Sequence, residues 1–233
     1  MTHTLLLADR AYSSWSMRIG LLVDHFNLPL DVRYTQLYCD DFTEKLSDFD
    51  PARTVPALRL ETGAVVTESL AIAEELADRF PDKPLWPANE NSRAVARAIT
   101  AEMHAGFNAL RNYCPMNLRL AYRDVPVPED VKADLERLDV IWTYTRATTA
   151  PSGPWLCGDY SIADAFFAPV AARIAGYGLP VSESAKDYVA AHLTHPGFQH
   201  WRKLALIEGP DQSFYDKPYP QVEWPEERKA LTR

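Results

Sequence analysis

Cysteine is scarce in this sequence, with three in 233 residues: Cys39, Cys114 and Cys157. They form no CxxC pair, no zinc-ligand spacing and no even set for disulfides, so no metal site is expected. All three read as buried free thiols in a reducing compartment. No apolar run approaches the ~20 residues that span a bilayer. Met1 to Leu7 lacks the long apolar core and basic flank of a signal peptide. A cytoplasmic location without a membrane partner is expected. Positive charge is in deficit as well, with 24 Lys and Arg against 32 Asp and Glu and a net charge of -8. That balance carries no footprint for nucleic acid, although a local site for a small anion is still allowed.

What is present is the pattern of an ordinary globular chain, long enough for one large domain or two small ones. Leu5-Leu6-Leu7 reads as a short strand. Ile19, Leu22, Val23 and Phe26 follow helical spacing, and Asn27-Leu28-Pro29 stops that helix. Leu30, Val32 and Tyr34 alternate with Asp31 and Arg33 as a second strand, which predicts a right-handed, parallel βαβ unit. Ala57–Leu60 and Ala64–Thr67 flank Glu61-Thr62-Gly63 as a hairpin, followed by a helix carrying Leu70, Ala73, Leu76 and Phe80. Three prolines between Pro81 and Pro87 then read as an interdomain linker.

Beyond the linker the strand signals largely vanish. Val95, Ile99, Met103, Phe107 and Leu110 predict one helical stripe, and Val131, Leu135, Leu138 and Trp142 a second. Ile162 to Ile174 predicts a buried third helix bent at Pro169, with shorter helices over 184–193 and 196–207. The tail after Gly209 reads as an ordered wrap over the surface. The expected architecture is an α/β domain over 1–80, a linker over 81–90, and an all-α domain over 91–233.

Four short motifs carry chemistry, each with a plain structural alternative. Thr54-Val55-Pro56 precedes a strand. A cis Val55–Pro56 bond would turn the Val55 backbone outward to pair with a bound peptide, whereas a trans proline would merely open the strand. Glu68-Ser69 stands at a helix start, where free N–H groups and a hydroxyl suit a carboxylate and Glu68 suits an amine. Simple capping is the alternative. Tyr12-Ser13-Ser14-Trp15 lies where the first strand gives way to the first helix. A thiol held there would feel the helix dipole and a hydroxyl donor, against the alternative of a serine-rich N-cap. Ser161 and Asp164 have the spacing of a capping box and read as structural.

Taken in order, Val55-Pro56, Glu68-Ser69 and Gly158-Asp159 through Ser161 and Asp164 resemble the cytosolic glutathione transferase superfamily across essentially the whole chain. The resemblance implies a thioredoxin-like N-terminal domain, a helical-bundle C-terminal domain, glutathione as cosubstrate and a homodimer. It further implies that the glutathione thiol is activated for attack on a small electrophile by conjugation, peroxide reduction or isomerisation. A family member that binds glutathione or a protein without catalysis is the alternative. The Ser-Ser-Trp-Ser run is similar to serine-type bacterial members and, more distantly, to the zeta class. There a cysteine stands where Ser13 stands here. By that spacing Ser13 is the expected thiol partner, with Ser14 beside it. Arg53 is the expected partner of the glycine carboxylate, unless it is simply solvated. Met103, His104 and Phe107 are expected around the electrophile, although Met103 and Phe107 also lie on a core stripe.

Overall fold

The computed structural model describes residues 2–225. Its first unit is a four-stranded sheet in the order β2-β1-β3-β4, made of β1 (Thr4–Leu7), β2 (Asp31–Tyr34), β3 (Ala57–Arg59) and β4 (Val65–Thr67). β1 pairs parallel with β2 and antiparallel with β3, and β3 pairs antiparallel with β4. Alternation along β1 divides its side chains between two faces. Leu5 and Leu7 join the main core, while Leu6 joins a smaller cluster with Ala8, Leu46, Phe49, Val55 and Ala57. Helices α1 (Ser14–Phe26) and α3 (Ser69–Arg79) pack against each other, with their buried residues in the main core. A short helix α2 (Phe42–Leu46) and a 3₁₀ turn, Ser47–Phe49, fill the connection between β2 and β3. This arrangement is the thioredoxin-like order read from the sequence.

The helical part comprises α4 (Glu90–Ala105), α5 (Asn108–Tyr113), α6 (Glu129–Thr149), α7 (Ile162–Tyr177), α8 (Glu183–Thr194) and α9 (Pro196–Ala205). α7 is its axis. It packs on α1, α4 and α8, and nearly every residue along it is buried, so it is apolar all round rather than striped. The predicted stripe from Val95 to Leu110 is not one helix. Gly106 ends α4, Phe107 takes φ 57°, and α5 restarts at Asn108.

The buried box at the start of α7 is present. Asp164 accepts from the Ser161 N–H, the Ser161 hydroxyl, the Leu156 N–H and the Tyr188 hydroxyl. The Ile162 N–H donates to the Leu85 carbonyl at 2.9 Å and ties this helix start to the Pro-rich segment.

The last described segment does wrap. The Gln212 N–H donates to the Tyr12 hydroxyl, a 3₁₀ turn spans Ser213–Tyr215, and β6 (Gln221–Val222) pairs with β5 (Ala121–Tyr122). Among the described residues no helix is long and apolar enough to cross a membrane.

Candidate active site

The end of β1 and the first turn of α1 deliver Ser13 and Ser14 to the seam between the two parts, but to different duties. Ser13 is the N-cap of α1. Its hydroxyl accepts from the Ser16 N–H at 3.3 Å and donates to the Ser16 hydroxyl at 2.8 Å. The Ser16 hydroxyl in turn accepts from the Ala8 N–H. Ser14 is only half-buried, and its oxygen accepts from Arg173 Nη2 at 3.4 Å. A hydroxyl that accepts in this way keeps its own proton available.

Both serines line a cavity of about 800 Å³ between the parts. Arg53, Thr54 and Val55 close it on the sheet side, with Leu37, Cys39 and Phe42 beside them. Arg111, Asn112, Met116, Arg173 and Tyr215 close it from the helical side. Three arginines and no carboxylate line it. Arg111 also stacks 4.4 Å over the Trp15 ring, and the buried Arg18 lies 4.2 Å from the same ring. Burial lowers the affinity of Arg173 for its proton to about 10, and the guanidinium remains charged at neutral pH.

A second cavity, of about 200 Å³, adjoins the first through the shared residues Trp15, Thr54 and Val55. Pro56, Glu68 and Ser69 complete it. The Val55–Pro56 peptide is cis, the first of the two alternatives read from the sequence. Among the described residues, neither the N–H nor the C=O of Val55 has a hydrogen-bond partner in the backbone. Glu68 holds φ 67°, ψ 124°, a sparsely populated conformation for a residue other than glycine, and such outliers concentrate at functional sites. Ser69 is the first residue of α3. Against the expectation of an open position it is 1% exposed, yet its hydroxyl has no partner among the described residues and borders this cavity.

The remaining expected site residues divide. Met103 and Phe107 are buried in the core and do not line the cavity, so the helical wall comes from α5 and α7 rather than α4. For both, the core stripe that stood as the alternative is what the structure has. His104 packs edge-on against Trp15 and meets Glu68 at 3.6 Å. Burial, then Arg18, lowers its pKa, so the ring is neutral at pH 7 and this contact is weakly polar. From the tail, Tyr215 takes the cavity edge, while Trp224 stacks on Arg202. Sequence reading missed Arg111 on the short helix α5 and Arg173, a cation in the otherwise largely apolar α7. It also read Cys39 as buried, whereas the residue is half-buried and lines the larger cavity. Cys114 and Cys157 are buried thiols, each pushed up to about 12 by desolvation.

Residues 12–79 match the family described as glutathione S-transferase, N-terminal domain. The N-terminal part of the chain thus carries a glutathione S-transferase N-terminal domain. A probable maleylacetoacetate isomerase of Caenorhabditis elegans is 37% identical over 103 residues, which cover 44% of this chain and 47% of that one. The match thus spans about half the length of this relative. The maleylacetoacetate isomerase of Rattus norvegicus is 27% identical over 177 residues, covering 74% of this chain and 78% of the relative. A glutathione transferase homologue from Burkholderia, solved with bound glutathione, has the same fold. It superposes with a TM-score of 0.64 at 23% identity, over 87% of this chain and 97% of the other. Among the described residues no group of His, Cys, Asp and Glu is arranged to hold a metal ion.

Proposed function

We propose that the chain is a member of the glutathione transferase superfamily, a serine-type enzyme that activates the glutathione thiol for attack on a small electrophile. The observation that carries the reading is the continuity of the two cavities through Val55. The smaller one offers the unpaired backbone of Val55, the start of α3 and the hydroxyl of Ser69 to a γ-glutamyl peptide. The larger one places Ser14 at the first turn of α1, where the helix dipole and a hydroxyl donor favour a thiolate. Arg53 is positioned at the rim for the glycine carboxylate. A free thiol is only a few per cent ionised at neutral pH, so a one-unit fall in its pKa raises the thiolate several-fold.

The electrophile enters beside Arg111, Asn112 and Met116. With Arg53 given to glutathione, Arg111 and Arg173 without a carboxylate still favour an electrophile that itself carries one. The isomerase activity in the names of the nematode and rat relatives supports cis–trans isomerisation of an unsaturated acid as one of the reactions to be assayed. Titration calorimetry with glutathione, followed by a panel of aryl halides, hydroperoxides and unsaturated acids, tests this reading. Glutathione binding with turnover of at least one class is expected, faster for an acid than for its neutral ester. Binding without turnover of any class would favour the non-catalytic alternative. Ser69→Ala should weaken glutathione about five-fold, the worth of one ordinary hydrogen bond.

A further inference from the structure

Arg173 lies in the C-terminal half of α7, inside the helical part, yet it reaches the first turn of α1. The residue is 5% exposed and has no carboxylate partner among the described residues. The guanidinium is fixed at three points. Nε donates to the Cys114 carbonyl at 2.8 Å, Nη1 to the Pro169 carbonyl at 3.2 Å, and Nη2 to the Ser14 hydroxyl oxygen at 3.4 Å. Pro169 has no N–H, so α7 lacks the bond that residue 169 would donate to the Ala165 carbonyl, while the Pro169 carbonyl accepts from the Arg173 side chain. The cations near Arg173 are Arg18 of α1 and Arg111 of α5, and the other titratable groups around it, Cys114, Tyr177 and Tyr215, are neutral. None offsets its charge at neutral pH. A buried cation left unpaired is costly, which points to a use for that charge in the cavity it borders.

We propose that Arg173 is a positioning residue for Ser14. By donating to the Ser14 oxygen it occupies that oxygen as an acceptor and turns the hydroxyl proton towards the cavity, as a donor to the glutathione sulfur. The thiol proton leaves to solvent, the serine proton stays on Oγ, and the sulfur is held as thiolate by a hydroxyl polarised from behind. The proposal rests on the glutathione reading above, and it makes the helical part a contributor to thiol activation as well as to electrophile binding.

The test is a mutant cycle read by the ultraviolet absorbance of bound thiolate against pH, with glutathione affinity and thermal melting measured on each protein. Arg173→Lys keeps the charge but not the three-pronged geometry, and Arg173→Gln supplies the same cycle if the lysine variant does not fold. The expected result is a bound-thiol pKa raised by about half to one unit in Arg173→Lys, with affinity changed less than about two-fold. Combining it with Ser14→Ala should give no further rise, because both changes remove the same donor. Additive shifts, or an unchanged pKa in folded Arg173 variants, overturn the proposal while leaving the glutathione reading intact. Absence of any bound thiolate in the unmodified protein overturns that reading and this proposal together.

Discussion

Nδ1 of His25 lies 3.1 Å from Nε2 of His195, joining the last turn of α1 to the corner between α8 and α9. His195 also stacks on Tyr160, with ring centroids 4.5 Å apart and planes 9° from parallel. Burial lowers the pKa of His25, takes His195 to about 4 and the nearby His192 to about 3. These rings are neutral when folded and charge freely when unfolded. Their contribution to stability is therefore complete above the unfolded value of 6.5 and is lost as pH falls towards 4. Asp164 acts in the opposite sense. Burial lifts it to about 6, so its contribution is complete below 3.8 and lost as pH rises through 6. One carboxyl opposes the two buried imidazoles of His192 and His195, whose shifts are the larger. The unfolding free energy from urea titration should fall between about pH 7 and about pH 4.5, by up to ~1.4 kcal/mol per pH unit for each of those two histidines. His195→Gln should flatten that slope by roughly one proton's worth, and an unchanged slope would remove His195 from the account.

Asp164→Ala should destabilise far more than the loss of a single cap. The carboxylate serves two backbone N–H groups and two hydroxyls in a site with no solvent contact. An ordinary N-cap is worth ~0.5–2 kcal/mol, and each buried donor left unpaired adds ~1–3 kcal/mol. A loss of about 3 kcal/mol or more in denaturant unfolding is expected, with glutathione affinity retained in the folded fraction. Unaltered stability with lost activity would make Asp164 functional instead.

The two parts are also locked by a close approach of α1 to α9. A methyl group added at Gly20 would sit 2.0 Å from Cζ3 of Trp201, a fully buried ring whose Nε1 donates to the Arg10 carbonyl. Gly20→Ala should fall at the top of the ~1–3 kcal/mol range for overpacking, since the neighbour is a rigid ring. Trp201→Phe in the same chain should recover part of the loss. Simple additivity of the two changes in thermal unfolding would mean that the clash relaxes elsewhere.

Cys39 shares the larger cavity with Ser14, and its thiol donates to the Gln36 carbonyl at 2.9 Å. A disulfide-exchange enzyme would need that sulfur as nucleophile, whereas thiol activation by a hydroxyl would not. Cys39→Ser should keep kcat/KM for conjugation within about two-fold of the parent. Loss of activity with glutathione binding preserved would transfer the chemistry from the serine loop to Cys39.

The architecture was legible because it is written in local signals: alternation in β2, the apolar run of β1, and the Ser161/Asp164 spacing before α7. The Val55-Pro56 and Glu68-Ser69 pairs were legible for the same reason, being short and bound to a turn or a helix start. The helical wall of the cavity was not. Arg111 and Arg173 lie 62 positions apart and come together only where α5 and α7 line the same cavity, which no sequence window spans. Met103 and Phe107 lie on the core stripe that the sequence offered as the alternative, and a place on the helix after the linker does not say which of its faces meets the cavity. The division of labour between Ser13 and Ser14 was hidden too, since it depends on Ser16 below one hydroxyl and Arg173 behind the other.

That division is the point at which the site stands or falls. Ser13 spends its hydroxyl on the helix start, accepting one N–H and donating to Ser16, while Ser14 keeps a donor facing the cavity. Spacing alone favours Ser13 as the thiol partner, and the hydrogen bonds favour Ser14. Ser13→Ala should therefore cost about 1 kcal/mol of stability through the lost cap, with the bound-thiol pKa nearly unmoved. Ser14→Ala should change stability by less than ~0.5 kcal/mol, being a partly exposed position without a capping role. It should also raise the bound-thiol pKa by about one unit, equivalent to ~1.4 kcal/mol, with glutathione affinity nearly normal. Thermal melting and ultraviolet titration of the glutathione complex measure the two effects independently. The reverse assignment of the pKa shift would return the role to Ser13. If neither variant moves the pKa, the donor is a backbone N–H of this loop or Tyr12, whose hydroxyl already accepts from the Gln212 N–H at 3.1 Å, and the serine mechanism fails.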